Sequence, residues 1–368
     1  MAPRVTNVGF IGLSSRPEWS WAVAAHLPYF THSKHYNLAA LQNSSKETAQ
    51  KAIRLHNLPN ETKAYGDINA LVSDPDVDLV AVTIKVHLHA VAVEAAIRAG
   101  KSAVFCEWPL ARNSIEAERL TSLAKEKGVR TLVGLQGRQD PATLKAKELV
   151  ESGALGEILQ TTMLFTSPWF GATMPEVAVY GADVENGANL VSISAGHALD
   201  ALCFVLGELR GVQATLANNR PQVVVTDSEG KPKGEIEKTA HDHLSVIGRL
   251  PGGGVATAIC QGGMSQVDKN FFWEITGTKG ALLLEGPMGN IQGFPPTIKF
   301  VKAEPGAVLE AIEVDEVKGF SDNTGKAWEA FAGAAPGEAP DFEVALLRHR
   351  MLDAIYKSSE LGTREEYW

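Results

Sequence analysis

Apolar positions in the first 138 residues fall in short continuous runs, separated by stretches with helical spacing. Residues 5–13 form a mostly apolar run, and a helix-like stretch follows from about Trp21. Residues 37–42 read as a second strand. Residues 79–84 are almost wholly apolar, the pattern of a strand covered on both faces. Ser45 is placed to cap the helix after the second strand, and Asp67 a short helix that ends before Asp74-Pro75. An Ala-rich helix at 91–98 stops at Gly100. A strand at 103–106 leads to a helix that Asn113 caps, with Glu116 spaced for a capping box, and Gly128 ends that helix before a strand at 131–136. This alternation predicts a doubly wound parallel sheet.

The pattern then changes. Asp140-Pro141 opens a helix as N-cap and first helical residue, ending near Gly153. From residue 157 onward, stretches of period two at 244–250, 255–261, 271–275 and 281–284 are separated by glycine turns. They predict a large, mostly antiparallel sheet. The fold class is therefore α/β: a Rossmann domain over 1–138, then an α+β domain over 139–368 whose last helix, about 342–358, can pack back on the first domain.

Composition narrows the partners. A chain of 368 residues fits two domains, and a net charge of −9 argues against direct nucleic-acid binding or an anionic membrane surface. Cys106, Cys203 and Cys260 have no CxxC spacing and read as buried thiols of a reducing compartment. No apolar run reaches the ~20 residues of a membrane span, and the first strand leaves no room for a signal peptide. A cytoplasmic location, with nuclear as the alternative, is expected.

The turn after the first strand carries the candidate chemistry. Gly9 and Gly12 precede Ser14 and Ser15; Gly12 stands where the first glycine of a dinucleotide loop belongs, Ser14 replaces the second, and the third is absent. The second strand ends in Gln42-Asn43-Ser44-Ser45-Lys46, without the acid that bonds an NAD ribose. Asn43, Ser44 and Lys46 tolerate a 2′-phosphate, so NADP is expected, with NAD as the alternative. His87-x-His89 and His241-x-His243 lack the further ligands that zinc needs, and no metal is expected.

Several segments, among them Glu107-Trp108-Pro109, Leu135-Gln136-Gly137-Arg138, Asp242-His243-Leu244 and Gly277-Thr278-Lys279-Gly280, resemble the glucose–fructose oxidoreductase/inositol dehydrogenase family. Within it the resemblance is to one subgroup, the galactose-pathway repressor of yeasts and its fungal relatives. It spans nearly the whole chain. The phosphate loop is slightly longer here, and the stretch between Leu284-Glu285-Gly286 and the last helix is shorter.

The resemblance implies a catalytic Glu-Lys-Pro tripeptide where this chain has Trp108, whose indole cannot relay a proton. It aligns His197 and Asp200 with a His-x-x-Asp motif, and puts Ile193 where family enzymes carry another Asp. Glu107, Trp108, Gln136, Arg138, Ile84, Lys85 and His89 join the expected cofactor contacts. His197, Lys85 and Tyr180 are the expected catalytic groups, with Trp108, Trp169, Phe170 and Tyr180 as a candidate aromatic wall. Two functions follow. The leading one is an NAD(P)-dependent oxidoreductase acting on a small, sugar-like or secondary-metabolite carbonyl or alcohol. The alternative is a non-catalytic dinucleotide-binding co-regulator that binds an activator protein. The family's habit of pairing sheets implies a homodimer.

Overall fold

The computed structural model describes residues 5–16, 20–335 and 339–368, which divide into two units: Met1–Leu135 with Gly319–Leu346, and Gln136–Lys318 with Leu347–Trp368. In the first unit, β1 (Thr6–Ile11), β2 (Tyr36–Gln42), β3 (Lys63–Tyr65), β4 (Leu79–Val82), β5 (Ala103–Glu107) and β6 (Arg130–Gly134) form one sheet in the order 3-2-1-4-5-6. Every pairing in it is parallel. All residues of β4 and β5 are buried, as the apolar runs of β4 and of β5 up to Cys106 require.

Local chemistry sets the ends of the intervening helices. Ser45 and Thr48 form a reciprocal capping box at the start of α2 (Lys46–Leu55), and Asp67 caps α3 (Ile68–Val72). Gly128 ends α5 (Ser114–Lys127) in the left-handed region at φ 64°. The capping box expected of Asn113 and Glu116 takes a different form. Asn113 accepts from the Glu116 backbone, but Glu116 reaches past it to the Arg112 backbone N–H at 3.2 Å, drawn there by the Arg112 guanidinium.

The second unit opens on α6 (Pro141–Glu151), capped by Asp140 through the Ala142 and Thr143 backbone N–H groups. Among the described residues its main sheet has eight strands, and only the pairing of β7 (Ile158–Ser167) with β13 (Val255–Gly262) is parallel. Alternation gives each strand an inner and an outer side. Met163 and Phe165 of β7, with Trp273 and Ile275 of β14 (Phe271–Gly277), are fully buried, and the Trp273 indole donates to Thr161 Oγ1 at 2.8 Å. On the other side, Ile247, Val255 and Ile259 are exposed.

The chain returns to the first unit with α8 (Phe320–Phe331), which differs from a division at residue 138 with everything later assigned to the second domain. Trp328 of α8 is fully buried in the core of the nucleotide-binding sheet, among Phe10, Phe30, Tyr36 and Phe105. The last helix, α9 (Phe342–Leu361), begins in the first unit and continues in the second. Its segment at Phe342 is bonded to Thr121 and Thr131 of the first unit, whereas the part from Leu347 belongs to the second.

Candidate functional site

Gly12 follows β1 with φ +105°, and a Cβ there would come within 2.6 Å of Ile84 Cγ2 and 2.9 Å of the Thr83 carbonyl. Only glycine fits so close to the end of the neighbouring strand, and the Gly12 N–H itself donates to the Gln42 carbonyl at 3.1 Å. That bare turn between the two central strands fits a dinucleotide pyrophosphate. Gly9 does a different job from the one expected of it: a Cβ there would strike Val77 and Leu71 within 3 Å, so it permits close packing of α3 on the sheet.

The loop is braced from within. Ser14 Oγ accepts from the Arg16 backbone N–H at 3.1 Å, and its carbonyl lies 2.8 Å from His56 Nε2. Asn43 donates to the Leu13 carbonyl at 2.8 Å, so its amide holds the loop rather than standing open towards a ribose. Ser15 is half-buried, Ser44 lies beside Thr48 at the surface, and Lys46 is exposed at the start of α2. The last part of the expected phosphate loop, Pro17-Glu18-Trp19, lies outside the described residues. An open groove of about 560 Å³ borders Lys46, Arg54 and Tyr65.

At the end of β5 the Glu107 carboxylate is turned into the fold. Its Oε1 accepts from Trp21 Nε1 at 2.8 Å and lies 2.5 Å from His26 Nε2. Opposite it on β6 is Gly134, where a Cβ would sit 2.3 Å from Glu107 Oε2. Glu107, expected to contact the cofactor, is thus committed to the interior. Trp108 is 5% exposed and joined to Pro109 through a cis peptide.

His89 belongs to the same turn. Its Nδ1 is 2.9 Å from the Pro109 carbonyl and its Nε2 2.9 Å from the Ile84 carbonyl. Burial lowers its pKa against the pull of those two carbonyls. It ties the ends of β4 and β5 together. Ile84 is half-buried against Gly12, and Lys85 is exposed where β4 gives way to a single 3₁₀ turn.

In the second unit, a π-turn at Leu190–Ala195 runs into α7 (Gly196–Leu206), a helix buried at every position up to Val205. His197 stands in its first turn, 7% exposed. Asp200, one turn on, is held by Arg138 through two hydrogen bonds of 2.8 and 2.7 Å, and Arg348 Nε lies 3.5 Å away. Arg138 also stacks on Phe204. It is a buried cation paired within the second unit. Gln136 is almost wholly buried at the start of this unit. Tyr180 is half-buried in a 3₁₀ segment, and burial raises its phenol pKa, which keeps it a neutral donor. Trp169 and Phe170 share a short 3₁₀ turn, with Phe170 buried.

Lys85, Trp108 and the phosphate turn belong to one unit, and His197, Tyr180 and Arg138 to the other. Among the described residues, no group of three His, Cys, Asp or Glu side chains is arranged to hold a metal. His243 is paired with Asp242 at 2.6 Å, and His241 packs on Tyr356. All three cysteines are buried and unpaired, and burial pushes the Cys203 thiol up to about 12. Sequence reasoning did not find His26 or Trp328, because their partners lie 81 and 302 residues away.

A 3-2-1-4-5-6 parallel sheet with this glycine turn, followed by a broad one-sided sheet, defines a two-domain dinucleotide-binding protein. Residues 6–135 match the oxidoreductase family with an NAD-binding Rossmann fold, and residues 141–286 match the Gal80p C-terminal domain. The chain belongs to this glucose–fructose oxidoreductase/inositol dehydrogenase family, in the branch that carries the Gal80p-like C-terminal domain. It is 35% identical over 373 residues to the dehydrogenase aclE of Aspergillus oryzae, spanning 100% of this chain and 99% of that one. It is 28% identical to the galactose/lactose metabolism regulatory protein GAL80 of Saccharomyces cerevisiae, over 97% and 93% of the two chains. A crystal structure of a super-repressor mutant of Gal80p from the same yeast superposes with TM-score 0.90 at 26% identity, covering 99% and 98%. Levoglucosan dehydrogenase in complex with NADH and L-sorbose shares the fold, at TM-score 0.80 and 20% identity over 99% of each chain.

Proposed function

We propose that this chain is an NAD(P)-dependent oxidoreductase that interconverts a carbonyl and an alcohol on a sugar-like or secondary-metabolite substrate. One observation carries the enzyme reading over its alternative: similarity to a dehydrogenase runs at 35% identity through the full length of both chains. The absence of an acid from Gln42 to Lys46, with Lys46 exposed, supports NADP over NAD. When bound, the dinucleotide supplies or accepts the hydride. Gly12 and the turn around it hold the pyrophosphate. His197 moves the proton of the substrate oxygen, donating it as the carbonyl becomes an alcohol and taking it back in reverse. Trp108 lines the cofactor side of the first unit and carries no proton. Lys85, a mobile-stemmed cation at the end of β4, steadies negative charge on substrate or phosphate.

The test is single-turnover oxidation of bound NADPH, followed by absorbance, on challenge with small-molecule extract from the source organism. Turnover is expected, with His197→Ala slowing it by about 10²–10⁴-fold. Unchanged turnover in that variant removes His197 from the mechanism.

The regulator reading has its own support in the likeness to Gal80p at TM-score 0.90. Tight NADPH binding without oxidation by any extract fraction, together with capture of an activator protein, would favour it. In either reading the protein acts in the cytoplasm or nucleus, and a second copy covers the outer side of its large sheet.

A further inference from the structure

The interior of the first unit holds a hydrogen-bonded series that no sequence motif announces. Trp328 Nε1 donates to His26 Nδ1 at 3.1 Å, His26 Nε2 lies 2.5 Å from Glu107 Oε1, and Trp21 Nε1 reaches the same oxygen at 2.8 Å. An indole nitrogen can only donate, so His26 Nδ1 must present its lone pair. The proton of the neutral ring is then on Nε2, pointing at Glu107. A doubly protonated ring would set N–H against N–H. The tautomer is therefore fixed by the fold rather than chosen by solvent.

His26 is fully buried, packed edge-on against Phe10 and Phe105. With water excluded, the three bonds act in a low-dielectric setting where direction counts. Glu107 immediately precedes Trp108, and Trp21 lies just beyond the phosphate loop. One carboxylate oxygen at the end of β5 thus joins Trp21 beside that loop and, through His26, helix α8.

We propose that His26 and Glu107 are positioning residues that set Trp108 as the wall at the nicotinamide end of the cofactor site, with Trp328 fixing the histidine tautomer. The proposal rests on the reading of the first unit as a dinucleotide site. It predicts an effect confined to one half of the ligand. The adenosine half depends on Ser44 and Lys46, which lie at the surface where β2 meets α2, outside this series. The nicotinamide half of a dinucleotide belongs to the second half of a doubly wound sheet, and Trp108 stands at the end of β5 in that half.

The experiment is calorimetric titration of the full chain with NADPH and, separately, with 2′-phospho-ADP-ribose, which lacks the nicotinamide. His26→Leu is expected to weaken NADPH about tenfold, the scale of one buried hydrogen bond, while 2′-phospho-ADP-ribose changes less than about twofold. His26→Gln can donate to Glu107 and accept from Trp328, and should restore NADPH affinity to within about twofold. If His26→Leu does not fold, Glu107→Gln gives the same comparison: the amide keeps the size and one oxygen to accept from Trp21 and His26 but loses the charge, and NADPH alone should weaken, by about threefold. Equal losses for both ligands, or no rescue by His26→Gln, overturn the positioning role and leave the dinucleotide site standing. Failure of the wild-type chain to bind either ligand, or NADH and ADP-ribose in their place, overturns the dinucleotide reading itself.

Discussion

Single residues here divide into those whose roles follow from their own chemistry and those whose roles are set by a distant neighbour. Gly12 is of the first kind. Its positive φ and the nearness of Ile84 and Thr83 leave no space for a Cβ. Gly12→Ala should cost about 1–3 kcal/mol of stability in urea unfolding and abolish measurable dinucleotide binding, because the bare turn would be filled. Asp242 is of the second kind. Burial would raise its carboxyl pKa, but the Asn219 backbone N–H, His243 and Lys238 outweigh this and hold it below the usual carboxylate range. A carboxylate whose folded pKa is depressed stabilises the fold at all pH values above its unfolded pKa. The contribution is lost as pH falls through the folded value. Thermal unfolding followed from pH 7 downward should therefore show a loss of stability below about pH 4. Asp242→Asn should flatten that part of the profile, and an unchanged profile would show that the buried cluster does not stabilise through the charge.

Among the secondary elements, α8 is the one most altered by tertiary context. Its Trp328 fills the core of a sheet among Phe10, Phe30, Tyr36 and Phe105, all within the first 105 residues. The neighbouring Arg130 donates to the Phe331 carbonyl and stacks on its ring, which closes the end of that helix on β6. A fragment of residues 1–135 would expose Phe10, Phe30, Tyr36 and Phe105 where the indole belongs. Large-to-small changes at such sites cost about 3–5 kcal/mol. The fragment should accordingly bind a hydrophobic dye and unfold without a sharp transition, and joining residues 319–346 to it should restore cooperative melting. A cooperative fragment without that helix would show that the return segment is dispensable. The other elements conform to their local signals. The Asp140-Pro141 start of α6, the Ser45 cap of α2 and the Gly128 stop of α5 all stand where their chemistry predicts, because caps satisfy backbone groups within four residues of themselves.

For the whole molecule, the large sheet poses the main physical question. Its inner side is closed by Trp273, Ile275, Met163 and Phe165, while Ile247, Val255 and Ile259 remain exposed on the other. An antiparallel sheet commonly faces water with polar residues, so apolar side chains there mark a surface for association. If a second copy covers it, light scattering should give twice the chain mass of 39.4 kDa, and Ile259→Arg should shift the population towards monomer without changing the far-ultraviolet spectrum. A monomeric wild-type protein would reject that assignment.

The sequence by itself determined the alternation of strands and helices, the change to period two after residue 157 and the positions of the caps. It also determined the family, through short motifs spread along the chain. These are local properties: they depend on hydrophobic period, backbone conformation and groups a few residues apart. It placed the tight turn at Gly12 for the same reason, since a positive φ is a property of the residue that must adopt it. What only the tertiary structure decided is where polar side chains spend their hydrogen bonds. Arg138 and Glu107 read as ligand contacts from their motifs, but each is engaged by partners at 62 to 86 residues' distance: Asp200 for the first, Trp21 and His26 for the second. A buried charge is most stable where it is fully paired, and the identity of that partner is a matter of packing between distant elements. No spacing in the chain encodes it.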